Sequence, residues 1–437
     1  MMLPGNLQGL DTKYFIEGPG CLSSLAEILS SANSGKLPVL LVYDDNTKRV
    51  AGNRAAEILA AAGMSPVELL LNSGSAKILE PDYRRVLEIK DVIERERVFP
   101  VAVGSGVIND LVKRAAFEAG IPYLCAATAS SVDGYSAFGA ALVQDGLKVN
   151  LPCTPPAAIV ADTDILRAAP YRMTASGYGD LYAKVAAGVD WVLADRLELE
   201  KIHRESWDLV QTDLLSWVGF PEKLRAGDPG AFTNLFKGLT NSGFAMQIYK
   251  DSRPAAGAEH MISHVWEMEH LSRDGVPVSH GFKVALGTVI SISLMEAFFA
   301  YPPEKLLPDA VLRRRETWDA RMEAIGKCFP DPKIRGAIEE ACRKKWMDGE
   351  RLKFRVERLV SIMPEIRAFM KERHVSRKEV VEQFRLAGCP VSAEEFGLNP
   401  GDVRNAVIKA QMIRTRYTIL DAAYEAGILR ELLEEII

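Results

Sequence analysis

The spacing of apolar positions changes character once along this chain. Up to about residue 165, compact apolar runs end in glycine or polar residues: KLPVLLVYDD, PVELLL, VFPVAVG, IPYLCAAT and AAIVADTD. Such runs predict strands buried on both faces of a parallel sheet. Between them, KRVAGNRAAEILAAAG, DYRRVLEIKDVIERER and VINDLVKRAAFEAG repeat their apolar residues at helical spacing. This is βαβ alternation, so residues 1–165 are expected to form an α/β domain. Beyond it the strand pattern stops. DLYAKVAAGVDWVLADRLEL, FTNLFKGLTNSGFAMQIYK, FKVALGTVISISLMEAFFA, PKIRGAIEEACRKKWMDG and NAVIKAQMIRTRYTILDAAYEAG predict an all-α domain over residues 166–437. The segment 345–400 is strongly charged with weaker periodicity; it reads as surface helices and loops, and no function is assigned to it.

Composition narrows the class. A chain of 437 residues with 48% hydrophobic content can build two cored domains. The net charge of −5 comes from both signs scattered along the chain, which argues against a nucleic-acid partner. The amino terminus lacks the basic start and unbroken apolar segment of a secretory signal. The most apolar stretch, about residues 284–300, is interrupted by Ser and Glu and followed by Pro302, so it reads as a core helix and the protein as not membrane-embedded. Six cysteines without a CxxC pattern read as reduced thiols, with Cys125 and Cys153 expected in the core; the expected compartment is the cytoplasm.

Candidate chemistry enters with histidine. Of six in the chain, four fall within twenty-one residues, and three of these, His260, His264 and His280, enter the candidate set, while His270 has no obvious role. His260 and His264 are four apart, so on a helix both rings share one face. His280 precedes the longest apolar run and is expected at the start of a buried helix. With Asp180, in GYGDLYAK, these side chains offer three imidazoles and a carboxylate, a donor set suited to zinc, nickel or ferrous iron. The plainer reading, packed or solvated histidines, stands beside it.

A second pattern points to a nucleotide. VFPVAVGSGVINDLVKRAAFEAG reads as strand, glycine turn and helix; Gly104 and Gly106 permit close backbone approach to a pyrophosphate, and the helix start supplies partial positive charge. It is not GxGxxG, and the acidic pair Asp44 and Asp45 precedes the turn by about sixty residues, the wrong order for a standard Rossmann unit. Asp44 is therefore either a ribose acceptor or a solvated turn aspartate. In ATASSVDGYSAFGAAL, Thr128, Ser130 and Ser131 can bond phosphate or a carboxamide, and Asp133 a substrate hydroxyl, or all can simply form turns. Lys148, Arg414 and Arg416 are candidates for an anion.

Taken in order, VGSGVIND, TASSVDGYSAF, LPCTPPAAIVADTDIL, ASGYGDLYAK, GAEHMISHVWEM, SHGFKVALGT and IRTRYTILDAA resemble the sn-glycerol-1-phosphate dehydrogenase family, within the superfamily of dehydroquinate synthases and iron-containing alcohol dehydrogenases. The resemblance runs from about residue 10 to residue 430. It implies a dehydroquinate synthase-like fold: an α/β nucleotide-binding domain, a helical domain, and an active site in the interdomain cleft. It assigns Asp180, His260 and His280 to one divalent metal ion (Zn, Ni or Fe). Gly104, Ser105, Gly106, Asp110, Thr128 and Ser131, with Asp44 as a further candidate, fall to NAD(H) or NADP(H). Asp133, Lys148 and His264 fall to the substrate, with His264 and Asp133 catalytic. Ser105 stands where the superfamily's usual turn has a middle glycine. The implied reaction interconverts dihydroxyacetone phosphate and sn-glycerol 1-phosphate, in a homodimer or larger homo-oligomer. Rival readings are a glycerol or other alcohol dehydrogenase, a dehydroquinate synthase-like cyclase, and a non-catalytic sensor. EHMISHVWEM is closer to the phosphate-specific family than to the HAIHNG pattern of glycerol dehydrogenases.

Overall fold

The computed structural model describes residues 9–72, 79–144 and 147–437, with Leu147 and Lys148 described through their backbone alone. Contacts divide the chain into two compact units. One runs to Leu181 and resumes over Glu205–Ser252; the other holds Tyr182–Arg204 and Arg253–Ile437.

The first unit is built on a parallel sheet of β1 (Tyr14–Gly18), β2 (Val39–Tyr43), β3 (Val67–Leu70), β4 (Phe99–Gly104), β5 (Leu124–Ala127) and β8 (Ala158–Asp162), in the spatial order β1-β8-β5-β4-β2-β3. Alternate residues of the central strands feed two cores. Leu41, Val101 and Ala126 pack with helices α1 (Leu25–Ala32) and α2 (Asn53–Ala61). Val42, Ala102 and Cys125 pack with α3 (Tyr83–Glu96) and α4 (Gly106–Glu118). Burial on both faces explains why β2, β4, β5 and β8 are continuously apolar, whereas β3 is a largely exposed edge strand. A hairpin of β6 (Gly139–Gln144) and β7 (Leu147–Pro152) stands apart from the main sheet.

The strand order has a direct consequence for ligands. β2 passes to α2 on one face and β4 passes to α4 on the other, yet β2 and β4 are neighbours. Adjacent strands whose connections leave to opposite faces open a crevice at their carboxyl ends, the topological switch point at which such sheets take ligands. Asp44 and the glycine turn emerge side by side there. Their separation in sequence therefore reflects the strand order. All five expected strands are present as β2, β3, β4, β5 and β8; β1, a short half-buried edge strand, and the β6–β7 hairpin are additions.

The second unit is helical. Its centre is the helix His280–Ala300, with 17 buried residues, packed against Ala258–Met268, Lys184–Arg196 and Gly349–Glu372. This helix is long and apolar enough to cross a membrane by composition, but 89% of its apolar window is buried inside the protein, as a core helix requires. Residues 345–400 form helices joined by loops, with a more regular apolar face than the charged sequence suggests. Gly349–Glu372 buries Leu352, Val356, Leu359, Met363 and Ile366, spaced four and three apart along one face. Interspersed Arg, Lys and Glu dilute that stripe, and one of them, Arg355, is itself buried beside Glu425 at 3.4 Å.

Candidate functional site

Two helices of the second unit carry the histidines. Ala258–Met268 holds His260 and His264; His280–Ala300 begins with His280 directly after its N-cap, Ser279. The helices meet backbone to backbone at Gly287, where a Cβ would stand about 1 Å inside ordinary van der Waals contact with the carbonyl oxygen of Glu259. Only glycine permits that approach. The ring centroids of His260 and His280 consequently lie 5.5 Å apart, with His264 at 6.3 Å from the first and 6.5 Å from the second.

Each ring is held through its Nδ1. His260 Nδ1 pairs with Glu259 Oε1 at 2.8 Å, His280 Nδ1 with Glu267 Oε1 at 2.8 Å, and His264 Nδ1 with Glu267 Oε2 at 3.1 Å. A carboxylate accepts a proton from Nδ1–H and leaves Nε2 with its lone pair, the arrangement that prepares an imidazole to bind a cation. Lys283 Nζ lies 3.5 Å from Glu267 and supplies counter-charge. Burial, reinforced by His260 and His280 and opposed by Glu267, lowers the pKa of His264 to about 4, so its ring is neutral at physiological pH. Behind His260, Gly257 N–H donates to Glu259 Oε1 at 2.7 Å, and Ala258 N–H donates to Asp190 Oδ2 at 2.8 Å. Burial and then Glu259 raise Asp190 to about 7 against the opposing charge of Arg253.

Asp180, fully buried near the end of the helix Tyr171–Tyr182, accepts the backbone N–H of Asp133 on Oδ2 at 2.9 Å. Among the described residues, Asp180, His260 and His280 form a group able to hold a metal, each offering one ligand atom and all these atoms within 4.8 Å of one another. Two nitrogens and one oxygen, with both Nδ1 atoms already satisfied, fit a catalytic divalent cation with coordination positions to spare. The resemblance assigns His264 to the substrate and the proton rather than to the metal; its Nδ1, like that of His280, pairs with Glu267.

The nucleotide candidates surround the β2–β4 crevice of the first unit. Gly104 ends β4, and a Cβ on it would meet Ile108 Cγ1 at 2.6 Å, so glycine lets α4 start tight against the sheet. Ser105 is the N-cap of α4 and makes no side-chain capping bond; Gly106 is its first residue. The first-turn N–H groups therefore lack a side-chain cap, as an anion site requires. Thr128 N–H donates to Gly104 carbonyl at 3.1 Å, bringing the hydroxyl loop beside the glycine turn. Thr128 and Ser131 are largely buried, and Ser130 Oγ is buried without a hydrogen-bond partner among the described residues. Asp44 spends Oδ1 on the N–H and hydroxyl of Thr47 at 2.8 and 2.9 Å, which leaves Oδ2 as the oxygen outside the cap. Asp110 accepts Ala141 N–H on Oδ2 and faces Lys113 with Oδ1, bracing the β6–β7 hairpin.

Sequence reasoning did not single out Glu259, Glu267, Lys283 or Lys113. A signal existed for Glu267, since positions 260, 264 and 267 fall on one helix face. Lys113 is wholly buried; its Nζ donates to the carbonyls of Gly134 and Gly139 at 2.7 and 2.9 Å and so ties the hydroxyl loop to α4. Of the anion candidates, Arg416 Nη1 donates to Ala256 carbonyl at 2.8 Å. Lys148 pairs with Val143 through the β6–β7 ladder, and its side chain lies outside the described residues.

A family model described as iron-containing alcohol dehydrogenase matches residues 16–170. A glycerol-1-phosphate dehydrogenase (NAD(P)+) of Halalkalibacterium halodurans is 33% identical over 277 residues, covering 63% of this chain and 69% of the relative. Its counterpart in Bacillus licheniformis is 27% identical over 409 residues, covering 94% of this chain and 88% of the relative. The crystal structure of a probable glycerol dehydrogenase from Sinorhizobium meliloti 1021 superposes with a TM-score of 0.59 at 18% identity, covering 98% of each chain, which supports the fold. By sequence, the chain belongs to the glycerol-1-phosphate dehydrogenase family.

Proposed function

We propose that this protein interconverts dihydroxyacetone phosphate and sn-glycerol 1-phosphate with NAD(H) or NADP(H), using a divalent cation held by Asp180, His260 and His280. The observation that carries the reading is the donor group itself, three ligand atoms within 4.8 Å with both histidines braced at Nδ1. When bound, the cation polarises the ketone oxygen and the dihydronicotinamide supplies the hydride. The chain's own residues do the rest. Gly104, Ser105 and Gly106 cradle pyrophosphate at the start of α4; Thr128 and Ser131 line the dinucleotide; Asp44 Oδ2 meets a ribose hydroxyl. Asp110 acts at one remove, through the hairpin it braces. Asp133 bonds a substrate hydroxyl while its N–H steadies Asp180. His264, neutral and with Nε2 unprotonated, accepts the proton of the secondary alcohol during oxidation and returns it during reduction. A buried amide-rich or cationic pocket must take the substrate phosphate; Lys148, Arg414 and Arg416 remain the candidates. We further propose a reducing, cytoplasmic setting, in keeping with six free cysteines.

The test is a steady-state assay of purified protein with each coenzyme on dihydroxyacetone phosphate and on dihydroxyacetone, with elemental analysis of the same sample. Faster turnover of the phosphate ester and about one equivalent of metal are expected. Preference for the free ketone would transfer the assignment to a glycerol dehydrogenase, and absence of any nicotinamide absorbance change would favour a cyclase.

A further inference from the structure

Resting on that reading, we propose that Glu267 is a positioning residue that fixes the tautomers of two imidazoles with different tasks, His280 at the cation and His264 at the substrate. The geometry is specific. Oε1 meets His280 Nδ1 at 2.8 Å and Oε2 meets His264 Nδ1 at 3.1 Å, from opposite sides of one buried carboxylate. A carboxylate is acceptor-only, so both rings must carry their proton on Nδ1, and both must present Nε2 as a lone pair. His280 needs that lone pair to donate to a cation; His264 needs it to accept a proton. Lys283, three residues after His280 on the same helix, stands 3.5 Å from Oε1 and keeps a positive charge beside the shared carboxylate. Glu267 thus serves two imidazoles, whereas Glu259 Oε1 pairs with one ring and a backbone N–H.

The sharpest perturbation is Glu267→Gln. The amide keeps the size but replaces one acceptor oxygen by an NH2 donor. One of the two rings then faces a donor and must flip, placing its proton on Nε2. Either ring that flips is disabled.

Wild-type, Glu267→Gln, Glu267→Asp and His264→Ala proteins are stripped of metal and titrated with Co(II), with affinity read by chelator competition, the visible absorption band recorded, and NADH binding followed by fluorescence. Where the amide NH2 meets His280, Glu267→Gln is expected to lose ~10- to 100-fold in Co(II) affinity with a displaced band, the range that loss of an outer-shell partner produces; where it meets His264, Co(II) affinity holds; NADH binding is kept in either case. His264→Ala is expected to bind Co(II) as wild type does. In the second orientation, with Co(II) saturating, the Gln variant's kcat should fall toward that of His264→Ala with KM for the ketone little changed. A Gln variant with wild-type affinity, band and kcat overturns the proposal. Wild-type protein that takes up no Co(II) overturns the underlying functional reading instead. If the Gln variant loses NADH binding, the Asp variant decides: its arm is one methylene too short to reach both rings, so it must lose either Co(II) affinity or, with Co(II) saturating, kcat, and wild-type values of both in it refute the role.

Discussion

Replacing Gly287 by alanine tests whether the active-site geometry is set by the crossing of two helices. The added Cβ would stand about 1 Å inside contact with the Glu259 carbonyl oxygen, a backbone atom that cannot rotate away. The helices must separate by a comparable distance at that point. Overpacking of this kind costs about 1–3 kcal/mol, offset by about 1 kcal/mol from the better helix propensity of alanine. The net is a destabilisation of up to about 2 kcal/mol, a Tm decrease of up to about 8 °C in a unit of this size. The chemical effect should be larger, because Glu259 and His260 ride on the displaced helix: metal sites tolerate only about 0.2 Å in ligand distance, and a 1 Å misplacement can remove about 10²-fold in rate. Thermal melts, chelator competition and kcat/KM measure all three. Gly336→Ala is the matched control, since it lies in the helix Pro332–Lys345 with no heavy atom within 4 Å of an added Cβ, and its Tm should hold or rise. A Gly287→Ala protein with wild-type metal affinity and Tm would refute the reasoning.

Further expectations concern the first unit. Gly104→Ala drives a Cβ into Ile108 and should weaken NADH binding by about tenfold or more through displacement of the α4 start, measured by fluorescence titration; unchanged affinity would remove the glycine turn from the site. Lys113→Met strands two carbonyls and Asp110, and should cost about 3 kcal/mol of stability and raise the Kd for NADH, checked by denaturant melts and the same titration. Glu17 is largely buried and burial raises its pKa to about 7, with Lys237 opposing. Its folded-state pKa exceeds its unfolded value, so the carboxyl costs stability progressively as pH rises from about 4.5 to 7. Glu17→Gln should therefore have a higher Tm than wild type at pH 8 and converge with it near pH 5; equal melting at both values would contradict the shift.

Buried parallel strands were legible because burial on both faces leaves an unbroken apolar run, as in VLLVY and FPVAVG. YFIEG was not, since an edge strand that is half-buried throughout carries neither that run nor clean alternation. The β6–β7 hairpin was not legible either, because the hydroxyl and glycine residues that precede GAALVQ obscured its alternation. The helix Gly349–Glu372 shows the opposite difficulty: its apolar stripe is regular, but charged residues that bury their stems or pair internally mask it. At the candidate site, the histidine cluster was readable from donor chemistry and spacing, whereas the set Asp180, His260 and His280 came from the family resemblance. Glu259 was not readable, and Glu267 was signalled only by sharing a helix face with His260 and His264, because glutamate in a helix is by default a solvated residue and only the tertiary crossing at Gly287 gives Glu267 two rings to hold.

The connection from Met268 to Ser279 carries no donor to this arrangement. It folds out as an exposed two-rung hairpin, Ser272–Arg273 against Val276–Pro277, while the rings it separates in sequence are fixed by the helices on either side. That stretch is consequently a tolerant insertion point: an affinity tag, a fluorophore or a docking peptide spliced at Asp274–Gly275 would report on the proposed metal centre from a few residues away without joining its chemistry.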